Sequence, residues 1–448
     1  MSAARVTVIG GGLAGCEAAY QLAKRGIGVD LCEMRPVRGT DAHKTDHLGE
    51  LVCSNSFRND TMSTAVGVLK EEMRALDSLI LNIADSVRVP AGSALAVDRV
   101  RFAERVSEAV ASLDGVKIRR GEVESIPTGD ISIIATGPLT SQSLSESLSR
   151  FIGTAHLYFY DAISPIITSE SVDMSKVFRA ARYGKGGDDY INCPLDIDQY
   201  NGLVDAILAA DKMPLKSFER CTYFEGCMPV EEIARRGRET LRFGPMKPVG
   251  LTDPRTGARA HAVVQLRQDD SEGRLLSMVG FQTKMTYPEQ RRVFRMIPGM
   301  EAAEFVRLGS LHRNTFINSP KTLGPALNVR GHGRVFIAGQ LVGVEGYVES
   351  AATGLLCGLN AARLAMGQDP TIPPPTTALG SLLAYVTDCS RKDFQPMNAN
   401  YGLFPALEKR MRGKEKRAAL GRRAMADMGA WISQLGPQNP ARVCESTS

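Results

Sequence analysis

The sequence predicts an α/β protein whose parallel sheet is built from both ends of the chain, with an α+β domain inserted between them. Three observations predict this fold: a strand, glycine loop and helix at the start, two later apolar runs that end in glycine turns, and short strand-like runs in the middle. We expect residues 1–180 and 325–448 to form the two parts of the main domain and residues 181–324 to form the insertion, which faces the substrate.

The N-terminal segment is typical of a dinucleotide-binding unit. A β-branched run at 6–9 enters a loop that opens an amphipathic stretch, and the loop consists of Gly10, Gly11, Gly12, Leu13, Ala14 and Gly15. Gly10 permits a tight turn, Gly12 lets the backbone approach a pyrophosphate, and Gly15 lets the helix pack closely on the strand. A second apolar run ends at Glu33, at the distance where a carboxylate accepts the ribose hydroxyls. This unit binds FAD or NAD, and the loop alone does not distinguish them.

Two later segments favour FAD. A buried strand at 131–134 precedes the turn formed by Ala135, Thr136 and Gly137, and a strand near 334–338 precedes Gly339 and Gln340. The second segment continues through Gly346 and Tyr347 into a helix predicted at 348–366. In glutathione-reductase-like flavoproteins such segments lie beside the same sheet, and the last helix points its N-terminus at the flavin ring. We therefore expect a glutathione-reductase-like Rossmann FAD-binding domain.

Composition limits the class of protein. The 448 residues are 43% hydrophobic and 23% charged, and no apolar run reaches the length of a membrane helix. The start of the chain runs directly into the first strand without a secretion signal, so a soluble cytoplasmic protein is expected. Nine cysteines without a Cys-x-x-Cys pair indicate free thiols and no metal site. The proline run near residue 373 predicts an extended connector before a helical tail.

Two cysteines are candidates for a reactive thiol. Cys53 follows the first βαβ unit, where this fold passes near the flavin, and Cys227 lies between a glycine and a Met-Pro pair, a setting suited to an exposed turn. For both residues an inert packing role is the competing interpretation. For Cys16, Cys32 and Cys357 packing is the expected role.

Two basic segments are candidates for RNA contacts. If residues 231–242 are helical, Arg235, Arg238 and Arg242 fall on one face. The tail segment 409–423 is also strongly basic, and its candidate RNA-binding residues are Lys409, Arg410, Lys416 and Arg417. A solvated helix face is the alternative explanation for each.

Several blocks together resemble the TrmFO family, the folate- and FAD-dependent tRNA (uracil-5-)-methyltransferases of bacteria. They are the glycine loop with the residues up to 19, and the segments 50–59, 225–232, 244–251 and 338–347. The resemblance implies that methylenetetrahydrofolate supplies a carbon, that reduced FAD carries it, and that NADH or NADPH re-reduces the flavin. It also implies that the product is 5-methyluridine in the T-loop of tRNA, that Cys227 is the nucleophile, and that Cys53 assists near the flavin. No obligatory protein partner is implied.

This chemistry gives a reason to require a thiolate. Uracil C5 is a poor nucleophile until a group adds to C6, and a thiolate is the side chain best suited to that addition at neutral pH. Other readings stay open: the same chemistry on ribosomal RNA, wobble-uridine modification as in the longer GidA family, an FAD-stabilised tRNA-binding and folding factor, and a flavin oxidoreductase for a small molecule.

Overall fold

The computed structural model describes residues 5–40, 42–153, 157–162, 164–184, 187–213, 228–309, 311–391 and 394–435. The strands are β1 (Arg5–Ile9), β2 (Gly28–Glu33), β3 (Ser56–Asn59), β4 (Arg88–Val89), β5 (Ala94–Val97), β6 (Val116–Arg120), β7 (Ser132–Ile134), β8 (Leu157–Ala162), β9 (Ile166–Thr168), β10 (Phe178–Arg179), β11 (Tyr190–Leu195), β12 (Ala262–Gln268), β13 (Leu275–Met278), β14 (Phe305–Arg307), β15 (Leu311–Phe316), β16 (Asn328–Val329) and β17 (His332–Ile337).

The helices are α1 (Leu13–Ala23), α2 (Ala65–Ala75), α3 (Leu79–Ser86), α4 (Arg99–Ala111), α5 (Gln142–Ile152), α6 (Ile197–Ala209), α7 (Val230–Arg235), α8 (Thr240–Phe243), α9 (Tyr287–Phe294), α10 (Ser319–Thr322), α11 (Tyr347–Ala365), α12 (Ala378–Val386) and α13 (Gly413–Gln434). Short 3₁₀ turns occur at Ser169–Ser171, Arg182–Gly184 and Gly339–Val342. None of the helices within the described ranges is long and apolar enough to cross a membrane.

The main sheet has the strand order β16-β17-β7-β1-β2-β6. β1 pairs in parallel with β2 and β7, and β17 pairs in parallel with β7, so strands from both ends of the chain meet in one sheet. This confirms the predicted α/β fold class. Since parallel strands end at the same edge, the turns after β1, β2, β7 and β17 are brought together there.

Helices α1 and α11 hold the two ends of the chain together through contacts that only glycine permits. A Cβ on Gly354 would lie 2.2 Å from the carbonyl oxygen of Ala14, and a Cβ on Gly358 would lie 2.6 Å from that of Ala18. The helix predicted at 348–366 is observed as α11 with nearly the same bounds. Its position next to α1 depends on these two glycines.

A second sheet has the order β10-β11-β12-β13-β9-β14, is antiparallel in each pairing, and has its own hydrophobic core. The described members of this core lie between Ile167 and Phe305. This is the arrangement expected of an inserted domain, but β9 and β10 already belong to the sheet ahead of residue 181. The division of the chain at 180 and 324 stays a prediction.

Candidate functional site

The glycine loop forms one wall of a cavity at the carboxyl edge of the main sheet. Gly10 has φ +104°, and a Cβ there would lie 2.6 Å from the carbonyl oxygen of Ala135. A Cβ on Gly15 would lie 1.8 Å from the carbonyl oxygen of Gly10. A Cβ on Gly12 would meet no atom within 4 Å. Gly10 and Gly15 therefore make the turn compact, while Gly12 leaves open space beside the N-terminus of α1.

Glu33 lies in the same cavity and is held rigidly. Its carboxylate accepts hydrogen bonds from the backbone N–H of Gly11 at 2.8 Å and from Nε of Arg35 at 2.9 Å. Burial by itself raises the pKa of Glu33, but the hydrogen bonds and charge of Arg35 outweigh it and hold the pKa below its ordinary value. The side chain is thus an ionised acceptor at the end of β2.

The turn after β7 completes this first cavity. Thr136 lines it, and its hydroxyl lies 2.7 Å from that of Thr140. Ala135 is buried against Gly10, and Gly137 adopts φ +67°, which ends the strand. Leu13 and Ala14 are buried at the start of α1, directly after the three glycines of the loop.

A second cavity of about 300 Å³ lies where α11 begins, and we call it the thiol cavity. Its lining comes from distant parts of the chain and includes Cys53, Ser54, Ser56, Phe57, Arg58, Ser164, Arg267, Ser277, Met278, Val279, Gly280, Gln282, Gln340, Glu345, Gly346, Tyr347, Val348 and Asn398. The turn that carries Gly339 and Gln340 leads to it, and Gly339 donates its N–H to Oγ1 of Thr353 on α11 at 2.8 Å.

Tyr347 fixes Cys53 within the thiol cavity. The phenol oxygen accepts the backbone N–H of Cys53 at 2.9 Å and that of Ser54 at 3.1 Å, and it lies 2.8 Å from Sγ of Cys53. Complete burial, followed by the nearby thiol, raises the pKa of Tyr347 well above its ordinary value, so the phenol stays protonated. Since two N–H groups already use the phenol oxygen as acceptor, its own hydrogen is available to Sγ.

Arg267 of β12 connects the second sheet to the segment that contains Cys53. Its guanidinium donates to Oδ1 of Asn55 at 2.7 Å and to Oγ of Ser54 at 3.1 Å. A second arginine, Arg99, donates to the carbonyl oxygen of Leu51 at 3.1 Å. The thiol therefore lies in a segment held by two arginines, of which Arg267 is buried and Arg99 is partly buried.

Arg58 and Glu349 form an ion pair beside the thiol cavity. Glu349 is fully buried in the first turn of α11, where Oε1 also accepts the N–H of Ala399 at 2.9 Å. Its Oε2 has no hydrogen-bond partner in the described part of the chain. A Cβ on Gly346, which has φ +114°, would lie 2.4 Å from this oxygen. Glycine is required at 346 because both the backbone angle and the carboxylate exclude a side chain.

Each of the two cavities has features that suit part of a dinucleotide. The first offers an open backbone at Gly12 and an ionised carboxylate at Glu33, and the second lies at the start of α11, whose N-terminal N–H groups favour negative charge. Cys53, Gln340, Gly346 and Tyr347 are brought together in the second cavity. The roles of these residues in binding and catalysis stay predictions.

Cys227 lies outside the described residues. Cys16 and Cys357 are fully buried, and burial raises the pKa of both thiols far above the ordinary range, in agreement with a packing role. Cys32 is partly buried, and burial raises the pKa of its thiol as well.

The prediction that Arg235, Arg238 and Arg242 share one face of a helix is wrong. α7 ends at Arg235, Gly237 adopts φ +150°, and α8 begins only at Thr240. The glycine breaks the helix, so the three arginines do not form one stripe. Each instead pairs with a different acid: Arg235 with Glu232, Arg238 with Asp205, and Arg242 with Glu239.

The basic tail is only partly helical. Lys409 and Arg410 are exposed ahead of α13, whereas Lys416 and Arg417 are exposed on its first turns. The latter two line an open groove with Tyr401. Contact with RNA stays a prediction for all four.

Some residues of the thiol cavity were not predicted as site residues. Arg58 and Arg267 line the cavity, and Glu349 pairs with Arg58 beside it. One signal was visible for Arg267, because a charged residue directly follows the apolar run 262–266 on a strand. Arg58 belongs to the distinctive block 50–59, but its acidic partner lies 291 residues away.

The fold and the two cavities define a dinucleotide-binding protein with glutathione-reductase-like architecture. The family model "Glucose inhibited division protein A" matches residues 5–369. A protein of Geobacter sulfurreducens called methylenetetrahydrofolate--tRNA-(uracil-5-)-methyltransferase TrmFO is 58% identical over 96% of this chain and 99% of its own. A protein of Desulforamulus reducens with the same name is 56% identical over 97% and 99%. The chain belongs to the TrmFO family, as the sequence blocks predict.

Solved structures agree at the level of the fold. Aquifex aeolicus GidA in its form II crystal is 17% identical, with a TM-score of 0.70 over 97% of this chain and 74% of that one. The form I crystal gives 16% identity and a TM-score of 0.71 over 97% and 76%. These matches show that the chain has the same fold as these two structures.

Proposed function

We propose that this protein methylates C5 of a uridine in the T-loop of tRNA, forming 5-methyluridine. The observation that carries the proposal is the identity of 58% over nearly the full length of a relative called methylenetetrahydrofolate--tRNA-(uracil-5-)-methyltransferase. Methylenetetrahydrofolate is the carbon donor, and NADH or NADPH is the reductant. When bound, FAD carries the carbon and supplies the reducing equivalents.

The proposed FAD site uses both cavities. The backbone at Gly12 and the start of α1 hold the pyrophosphate, and Glu33 accepts the ribose hydroxyls. The start of α11 and the Gly339–Gln340 turn border the flavin. No second glycine loop of the G-x-G-x-x-G type is evident in the sequence, so the nicotinamide reaches the flavin without a Rossmann domain of its own.

The proposed roles of the cysteines follow from thiol chemistry. Cys227 adds to uracil C6, which gives C5 enolate character, so that C5 can form a bond to a one-carbon unit. A base then removes the C5 proton, and cleavage of the C6–S bond releases the thiolate of Cys227. Cys53 exchanges a proton near the flavin, and the Tyr347 hydroxyl at 2.8 Å holds its sulfur in place. The cations Arg99 and Arg267 near this segment favour negative charge in the thiol cavity.

Several features favour this reaction over its alternatives. The chain covers 99% of the Geobacter relative but 74% of the GidA chain, which argues against a wobble-uridine modification like that of the longer family. The relatives are named for tRNA, which favours tRNA over ribosomal RNA. A small-molecule oxidoreductase would have no use for the exposed basic tail. We further propose a cytoplasmic protein that needs no protein partner.

The test is an assay of the purified holoenzyme with a tRNA transcript, methylenetetrahydrofolate and NADH or NADPH, followed by nucleoside analysis. We expect 5-methyluridine from the wild type and from Cys389→Ser, which replaces an exposed cysteine outside both cavities. We expect none from Cys227→Ser and little from Cys53→Ser. Methylation by Cys227→Ser would overturn the nucleophile assignment, and product on ribosomal RNA alone would redirect the substrate.

The alternative function, a tRNA-binding and folding factor without catalysis, has its own test. If Cys227→Ser loses methylation but still supports cell growth as well as the wild type, then a role in tRNA binding and folding gains support. If growth fails together with methylation, the enzymatic role is the relevant one.

A further inference from the structure

Two aromatic side chains of the second domain are unusually exposed. Phe243, at the end of α8, is 81% exposed, and Tyr183 is 62% exposed. Large aromatic rings normally bury most of their surface, because exposure of a ring to water is unfavourable. Neither ring contributes to the core of the second sheet. Single exposed hydrophobic side chains are common on protein surfaces, but an exposed aromatic ring offers a face on which a nucleic-acid base can stack.

Tyr183 has a backbone conformation that a bulky residue rarely adopts, and its ring lies against Gly250, where a Cβ would be 2.9 Å from the ring. Its φ is +59°, in the left-handed region, where such side chains are outliers. The N–H of Tyr183 donates to the carbonyl oxygen of Gly250 at 2.9 Å, and the preceding Arg182 donates to the carbonyl oxygen of Val249 at 3.1 Å and to Oε1 of Gln265 at 2.9 Å. These bonds maintain the strained conformation and connect Tyr183 to the segment 244–250.

The segment 244–250 also forms part of the wall behind the thiol cavity. Pro245 packs on Gly280, because a Cβ on Gly280 would lie 2.7 Å from Cβ of Pro245. Gly280 itself lines the cavity that contains Cys53. Met246 is fully buried, and its carbonyl oxygen accepts the N–H of Val263 on β12 at 3.1 Å. The exposed aromatic rings thus belong to a structure that is continuous with the wall of the thiol cavity.

The segment that contains Phe243 is rich in positive charge. Residues 235–259 contain seven Lys or Arg and two Asp or Glu. Arg236, Lys247 and Arg259 form no ion pair within the described part of the chain. Lys247 is half-buried and lies between the exposed residues Phe243 and Val249 along the chain. Aromatic rings combined with unpaired cations fit a single-stranded nucleic acid, whose bases stack and whose phosphates pair with cations.

We propose that Tyr183 and Phe243, together with Lys247, form a stacking platform for unpaired tRNA bases next to the target uridine. The platform rests on the proposed function, since it places the RNA beside the thiol cavity. Bases that flank the uridine stack on the two rings, while Lys247 contacts a phosphate. Stacking tolerates any base, so the platform supports orientation and affinity more than the choice of sequence.

The test compares Phe243→Ala and Tyr183→Asn with the wild-type holoenzyme. Asparagine tolerates the left-handed backbone, so Tyr183→Asn removes the ring without adding strain. Tyr287→Ala is the matched control, because Tyr287 is a 47% exposed aromatic residue on α9, outside the platform. The measurements are the Kd for a T-arm hairpin and for a blunt RNA duplex, and kcat and KM for methylation.

We expect each platform variant to bind the hairpin about 5- to 100-fold more weakly, with a matching rise in KM. Binding of the blunt duplex and the flavin absorbance should not change. Phe243→Trp should restore hairpin binding, and Lys247→Ala should lower the slope of log Kd against log salt by about one. A 2-aminopurine in the hairpin loop should lose quenching with Phe243→Ala.

Hairpin binding by Phe243→Ala and Tyr183→Asn equal to that of Tyr287→Ala would overturn the platform. Equal losses for hairpin and duplex would do the same, since they indicate general electrostatic binding. If the wild type forms no 5-methyluridine but the platform variants still lose hairpin binding, the proposed methylation is wrong. The proposed RNA-binding platform is then still supported.

Discussion

The phenol oxygen of Tyr347 lies 2.8 Å from Sγ of Cys53, although 294 residues separate them along the chain. The same oxygen accepts two backbone N–H groups from residues 53 and 54. One side chain at the start of α11 therefore positions the thiol and also donates a hydrogen bond to it. Loss of the hydroxyl should affect the thiol before it affects the fold.

Tyr347→Phe should slow the reaction of Cys53 with iodoacetamide by about tenfold at neutral pH. The hydroxyl donates to sulfur and stabilises the thiolate, and one such bond to a charged group is worth about 1.5 kcal/mol or more. The rate is measured by mass spectrometry of the peptide that contains Cys53. Exposed Cys389 provides the internal control, and its rate should not change. A faster reaction at Cys53 would mean that the hydroxyl shields the thiol rather than activating it.

Gly12→Ala should weaken FAD binding, whereas Gly15→Ala should lower folding stability. A Cβ at 12 meets no protein atom, so Gly12→Ala should fold normally but bind FAD at least about tenfold more weakly, because the methyl group enters the space left for the pyrophosphate. A Cβ at 15 collides with Gly10, so Gly15→Ala should lose about 3 kcal/mol of folding stability. Thermal unfolding of the flavin-free proteins and the ratio of flavin to protein absorbance separate the two effects. Equal flavin retention by Gly12→Ala and the wild type would contradict the proposed pyrophosphate position.

The ion pair of Arg58 and Glu349 should show strong coupling. Arg58→Met leaves a fully buried carboxylate without its cation and should destabilise the protein by about 2–4 kcal/mol. Glu349→Gln removes the buried charge, so the double variant should recover at least half of that loss. Denaturant unfolding of all four proteins gives the coupling free energy. Strictly additive losses would show that the pair makes no net contribution.

Glu72 should make stability depend on pH. Its carboxylate accepts the N–H groups of Ala378 and Leu379 at 2.6 and 2.9 Å, and burial raises its pKa from 4.5 to about 8. Between these values the unfolded chain has released the proton and the folded chain has kept it, so stability falls as pH rises.

The stability of the wild type relative to Glu72→Gln should therefore decrease between pH 5 and pH 8. Glu71→Gln is the matched control, since the Glu71 side chain is 39% exposed, and the difference between it and the wild type should stay nearly constant over the same range. The free energy of unfolding at several pH values gives both differences. A difference for Glu72→Gln that grows with pH would contradict the assigned direction.

The parts of the site that local patterns encode were predictable. Glycines at fixed spacing and a carboxylate at the end of the next strand located Gly12 and Glu33, because backbone requirements are readable from residue type. The helix stripe through Arg238 failed for a local reason, since Gly237 was visible in the sequence and interrupts the helix. The contact of Arg267 with Asn55 spans 212 residues, and no periodicity encodes such a pair.

The packing of α11 on α1 has a consequence for synthesis on the ribosome. The first helix emerges early, yet the glycines at 354 and 358 that complete its packing are translated only after the entire insertion. The second sheet keeps its core within residues 167–305, so it can close while the earlier strands still await β17 and α11. The N-terminal part of the chain is thus synthesised first but completes its packing last. Nascent chains that stop before residue 358 expose an incomplete apolar sheet to chaperones and proteases.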